Sequence, residues 1–332
     1  MSNITCQFSG GPPLNTDISG VGVRISFYLQ TIFLGLQAAR SGSLDEISGA
    51  EYTLIATNVA MAVTALILGL KPTPEISFHD ALVVLYLLSL CWATNICALA
   101  SCNSVGGDAR SLQLFSVLQS VAVFAFALAM LITAPQFGSN PECNRHAVLV
   151  LFRHFPVFPA GRIVGWVVAA VVILGYMYMT FKDYLSEARS ILGRKKKEDP
   201  LPEEKKEVKP EASDAQSLNI KSEVVEEDPI ETYKQAHLKW KGDTQVYQPN
   251  VDGTLMLQLV AIMILWALAV MNTELLIVWN NFAPDDSTVS IWQFGQILPL
   301  LLVVLPMVGM VTAFQKYGYR KPVKKEEKDK IV

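Results

Sequence analysis

The stretch Thr254–Val278 reads TLMLQLVAIMILWALAVMNTELLIV and holds one charged residue, Glu274. As a helix it reaches about 37 Å at 1.5 Å per residue, more than the ~30 Å hydrocarbon core of a bilayer. A soluble core has no use for an apolar run of this length. Lipid offers no partner to backbone N–H and C=O groups, so a run that crosses a bilayer must be helical. Six further runs share this character: Val21–Ala39, Tyr52–Leu70, Ala81–Ser101, Leu112–Ala134, Ile163–Phe181 and Ile291–Phe314. The fold class expected is therefore all-α: a polytopic membrane helical bundle of about seven transmembrane helices. The first run is the least apolar, since it contains Arg24, Gln30 and Gln37.

Composition agrees. Of the 332 residues 51% are hydrophobic and 17% charged, whereas soluble domains carry about a quarter charged residues. The charges concentrate in Lys182–Asp252 and Lys316–Lys330. A net charge of −3 leaves no basic footprint for nucleic acid.

Loop charges set the direction. With the N-terminus outside and the C-terminus cytoplasmic, 22 Lys and Arg fall on the cytoplasmic side and four, Lys71, Arg145, Arg153 and Arg162, outside. Arg24 stays within the first span. This follows the positive-inside rule, which short loops obey better than long ones. The organisation expected is an extracellular segment 1–20, helices one to five over 21–182 with an outer loop 135–162, a disordered charged cytoplasmic insert 183–252, helices six and seven over 253–314, and a basic tail 315–332. Residues 1–20 carry no Lys or Arg and no apolar core, so a cleavable signal peptide is not expected.

Two features fit the outer side. Asn3 begins the chain's sole N-x-S/T sequon, a candidate glycosylation site. Cys6 and Cys143 are the two cysteines in outer segments, where disulfides persist, and form a candidate bridge. Cys91, Cys97 and Cys102 lie in or beside the third span and suit small apolar packing. The outer loop also holds the apolar stretch Ala147–Phe152, too short to span; a strand and an interfacial segment over the helix ends both fit it.

The insert is rich in Lys, Glu and Pro and has no heptad or metal spacing. The cluster Arg194, Lys195, Lys196 and Lys197 follows the fifth span closely. It serves as a topology anchor and is a candidate contact for anionic lipid.

Ionisable groups in spans need a partner or a purpose. Arg24, His79, Asp80 and Glu274 all fall near the outer boundary. Arg24 is expected to pair with Glu274 or with Asp80, either as a packing ion pair or as part of an outer vestibule. Gln30, Asn58, Asn95, Gln119, Gln258 and Gln296 lie deeper and can bond across helices. No acidic residue is placed near mid-membrane, which argues against proton-coupled transport. The four histidines show no ligand spacing, and nucleophile-elbow, Walker and dinucleotide motifs are missing from the sequence. The chain is not read as an enzyme, and no metal or cofactor is expected.

Two segments carry a resemblance. Asp17–Gln30, DISGVGVRISFYLQ, opens the first span, and Trp292–Leu298, WQFGQIL, opens the last. Together with Pro141-Glu142-Cys143-Asn144 they resemble a group of uncharacterised multi-pass membrane proteins of filamentous and mushroom-forming fungi. The resemblance implies a fungal membrane protein and places an arginine at the outer mouth of the first helix; it implies no activity. Seven spans with a long fifth-to-sixth insert also match a receptor plan in topology, although Asp108-Ala109-Arg110 and Leu305-Pro306 depart from the rhodopsin-like motifs. The expected function is a seven-helix receptor or sensor in the plasma membrane with a cytoplasmic signalling partner. The alternatives are a transporter or channel, and a membrane scaffold that displays the insert.

Overall fold

A computed structural model describes the backbone of residues 11–102, 109–195, 247–282 and 294–322, with side chains over 11–102, 111–182, 252–282 and 295–319. Among the described residues seven helices are long and apolar enough to cross a membrane. The protein is an all-α, multi-pass integral membrane protein. Contacts divide it into one unit of residues 1–174 with 250–320 and a second of 175–249 with 321–332. All the packing described below lies in the first.

The first span opens with a short turn, α1 (Thr16–Ser19), capped by the Asn15 side chain, and continues after Gly20 as α2 (Val21–Ser41). The second span is α3 (Leu44–Leu70), the third α4 (Phe78–Ser101) and the fourth α5 (Ala109–Thr133). A 3₁₀ turn at Pro141–His146 leads to strands β1 (Val148–Leu151) and β2 (Arg153–Pro156), then to α6 (Arg162–Lys195). Strand β3 (Tyr247–Val251) precedes α7 (Gly253–Trp279), whose N-terminus Asp252 caps. The seventh span is α8 (Phe294–Leu302) and α9 (Val304–Tyr317), with β4 (Arg320–Pro322) after it.

The helix limits differ from the sequence expectation where local chemistry extends a helix past its apolar run. Helix α3 starts at Leu44 rather than Tyr52, with Asp45 and Glu46 favourably placed in its first turn. This brings Glu51 inside the helix. Helix α6 continues beyond residue 182 to Lys195, into the segment read as insert. The seventh span breaks at Val303, between Pro299 and Pro306, because each proline removes a backbone donor.

The least apolar span is the most buried. Within its apolar window 72% of the first span is buried inside the protein, against 11%, 6% and 17% for the fifth, sixth and seventh. Helix α2 packs against α1, α3, α4, α7, α8 and α9. Its polar residues Ser26, Gln30, Thr31 and Gln37 therefore meet protein rather than lipid. Gln30 Nε2 donates to the Pro299 carbonyl at 3.4 Å, a carbonyl in the kinked span, and Thr31 Oγ1 donates to Phe27 O at 2.9 Å.

Strands β1 and β2 form an antiparallel hairpin over one end of the bundle, with Leu151 opposite Arg153 and Phe152 alone in the turn at φ 62°. The apolar stretch of the long loop is thus a strand, not a span.

Candidate functional site

The hairpin end gathers the four ionisable residues singled out in the spans, Arg24, His79, Asp80 and Glu274. Helix α2 presents Arg24 and Tyr28 four residues apart, hence on one face. Arg24 Nε and Nη2 donate to the two Glu274 oxygens at 3.0 and 3.4 Å, and Tyr28 OH donates to Oε1 at 2.9 Å. Of the two partners expected for Arg24, the geometry selects Glu274. The pair is asymmetric: the Arg24 side chain is 8% exposed and that of Glu274 44%.

Asp80 does something else. Its carboxylate accepts from Asn15 N at 3.0 Å, Ser77 N at 3.2 Å and Ser77 Oγ at 2.7 Å, and also from Ser19 Oγ. With Asp80 N donating to Ser77 Oγ at 3.1 Å, this is a capping box at the start of α4. The two carboxylates are linked through Ser19, whose carbonyl accepts from Arg24 Nη1 at 2.8 Å and whose hydroxyl reaches Asp80. One polar chain therefore runs Glu274–Arg24–Ser19–Asp80 and ties α7, α2, α1 and α4 together. His79 lies beside it but outside the chain: it is 2% exposed, its ring is 6.0 Å from that of Phe282, and its Nδ1 has no hydrogen-bond partner among the described residues.

Cys143 is buried and disulfide-bonded, while Cys91, Cys97 and Cys102 are free. Its expected partner Cys6 lies outside the described residues, as do Asn3, Lys196, Lys197 and the side chains of Arg194 and Lys195.

The two segments that carry the sequence resemblance meet in space. Gly22 N donates to Gln296 Oε1 at 3.3 Å. A Cβ on Gly22 would lie 2.7 Å from Gln296 Cβ, and one on Gly295 would lie 2.8 Å from Asp17 Oδ1. Gly22 lets α2 and α8 approach at backbone range. Gly22→Leu is expected to lower the melting temperature in detergent by the equivalent of about 2 kcal/mol, the usual cost of overpacking. Gly49→Leu, where a Cβ meets nothing within 4 Å, is the control. Equal melting of the two variants would contradict the close approach.

A second polar cluster occupies the opposite end. Lys316 Nζ donates to Glu46 Oε1 at 2.6 Å, and Tyr317 OH donates to the same oxygen. Arg40 donates to the Tyr317 carbonyl, and its guanidinium lies 5.4 Å from the centre of that ring. Gln37 Nε2 donates to Glu46 O at 2.8 Å. Helices α2, α3 and α9 are joined here. Farther up α3, Glu51 is fully buried, and among the described residues neither carboxyl oxygen has a hydrogen-bond partner. The nearby Cys102 thiol is pushed up to about 11, chiefly by burial and secondarily by the charge of Glu51. Among the described residues no group of three or more His, Cys, Asp or Glu is placed to hold a metal.

Sequence reasoning missed Ser19, Tyr28, Glu46 and Glu51. The Ser77-x-x-Asp80 spacing was a readable cap signal, and Tyr28 follows Arg24 by one turn. Nothing local marked Glu51, because its burial depends on α3 starting seven residues before it. No protein-family model, curated protein or solved structure matches the chain.

Proposed function

We propose that the protein is a seven-helix membrane sensor in which the first helix couples an outer polar site to a cytoplasmic signalling partner, with the N-terminus outside. The observation that supports this reading is the position of α2. It is the central helix, and it carries a polar lock at each end: Arg24 with Glu274 at one, Arg40 and Gln37 with Tyr317 and Glu46 at the other. A buried rod fixed by discrete bonds at both ends has the parts of a two-state coupler, since a ligand that competes for Glu274 would free the rod to reposition against the kinked seventh span. The long insert between the fifth and sixth spans is the segment offered to the partner. Plasma-membrane residence, glycosylation at Asn3 and lipid contact by Arg194–Lys197 belong to the same reading.

A carrier is the second reading, and Glu51 favours it. A buried carboxyl inside a span, with no partner among the described residues, is the kind of group a coupled transporter uses.

One experiment separates the two. The protein is captured from membranes with and without residues 190–240, and in parallel reconstituted in liposomes. Recovery of heterotrimeric G-protein subunits that depends on the insert is the result expected. Solute flux that survives deletion of the insert and is lost in Glu51→Gln, with no subunit recovered, would overturn the sensor in favour of the carrier.

A further inference from the structure

A cavity of about 630 Å³ lies between α2, α4 and α7 beneath the hairpin, within the ~300–1,000 Å³ range of small-molecule sites. A second, of about 430 Å³, lies between α4, α5 and α6. Both are bordered by Leu85, Ser89 and Ala93 of α4 and by Val168 of α6. We infer that the larger cavity holds an acyl chain of a membrane lipid, admitted sideways from the bilayer past α6.

Three observations carry this. The first is the roof. Tyr86 OH donates to Val150 O at 2.6 Å and accepts from Val150 N at 3.1 Å. Asn272 Oδ1 accepts from Phe152 N at 2.7 Å, and Asn280 exchanges bonds with Val148 at 2.9 and 3.0 Å. Side chains from the two walls α4 and α7 thus pin the hairpin, whose Val150 and Leu151 line the cavity, across its end.

The second is the chemistry of the walls. Among the described residues, none that lines the cavity is charged. Four of its hydroxyls are turned onto their own helices, Thr31 to Phe27 O, Thr94 to Leu90 O, Ser101 to Cys97 O and Thr273 to Ala269 O, at 2.7–2.9 Å, and that of Tyr86 is taken by the hairpin. A polar solute would lose its water and find little in return beyond the Ser89 hydroxyl; a hydrocarbon chain needs no partner.

The third is the side facing α6. Val168 borders the cavity yet is 54% exposed, and only 11% of the fifth span's apolar window is buried. At the depth of spanning helices the phase beyond that opening is hydrocarbon, so the occupant comes from it. The headgroup stays at the bilayer surface.

This inference is independent of the sensor reading, because a carrier or a scaffold would hold the same chain. The test uses full-length protein in nanodiscs of phosphatidylcholine with a diazirine in one acyl chain. After irradiation, adducts are mapped by mass spectrometry. Adducts are expected on Ser89, Ala93 and Cys97 of α4 and on Ile262 and Leu265 of α7. Ala93→Phe should lower them about tenfold, equivalent to about 1.4 kcal/mol of lost affinity, while adducts on Leu174 and Leu257 persist. Gly35→Leu fills the cavity from α2, where a Cβ meets only Ile262 Cγ2 at 3.4 Å, and serves if Ala93→Phe does not fold. Adducts confined to outward residues such as Leu257, or interior adducts unchanged by the filling variants, would overturn the inference. Failure to capture a signalling partner would leave the adduct map as it is.

Discussion

Glu274→Leu is expected to destabilise the detergent-solubilised protein by about 3 kcal/mol, the lower end of the cost of breaking a buried ion pair. The reason lies in the residue left behind. Arg24 is 7% exposed, and without Glu274 its guanidinium keeps only the Ser19 carbonyl. The cost is not higher because Glu274 is itself 44% exposed and already partly solvated. Tyr28 loses its acceptor at the same time. The informative comparison is Arg24→Leu/Glu274→Leu, which removes the stranded charge together with its partner. That double variant should be more stable than Glu274→Leu alone, in the way paired replacement of buried ions is tolerated elsewhere. Equilibrium unfolding of the three proteins gives the coupling. If the double variant loses the sum of the two single losses, the pair does not act as a unit.

Asp80→Ala should cost about 3 kcal/mol by a different route. The charge has no cationic partner among its hydrogen bonds; four donors from Asn15, Ser19 and Ser77 stabilise it instead. Removing it leaves buried donors unpaired, each at about 1–3 kcal/mol before relaxation, and strips the cap from α4. Asp80→Asn retains one acceptor oxygen and should cost about 1 kcal/mol. Because Asn15 caps α1 and Ser19 ends it, the alanine variant should also expose Thr16–Ser19 to limited proteolysis. Wild-type protection of that turn in Asp80→Ala would show that α1 is held by something other than this carboxylate.

Some of the candidate site was legible in advance. The depth of Arg24, Asp80 and Glu274 follows from their positions near one end of their spans, because a helix advances a fixed distance per residue. That they would lie on one level was therefore readable. Which of them would touch was not, since that depends on how each helix is rotated. The rotation of α4 turns Asp80 to Asn15 and Ser19, and that of α7 turns Glu274 to Arg24. Ser19, a small residue in a turn, gave no sign that it joins the two.

The limits of the spans show the same division. The apolar runs placed all seven, because hydrocarbon admits only backbone that satisfies itself. They misplaced the start of α3, because residues 44–51 are not apolar enough to stand against lipid and do not have to. That misplacement hid Glu51.

The sequence by itself determined that this chain crosses a bilayer about seven times as helices. That outcome rests on local composition and length, which each segment carries alone. The tertiary structure alone decided that the first span, the least suited to lipid, is the central one. A helix bearing Arg24, Gln30 and Gln37 is costly beside acyl chains and cheap among six helices that offer Glu274, Pro299 O and Glu46 O as partners. The same polarity that weakened its signal as a span is what holds it at the centre.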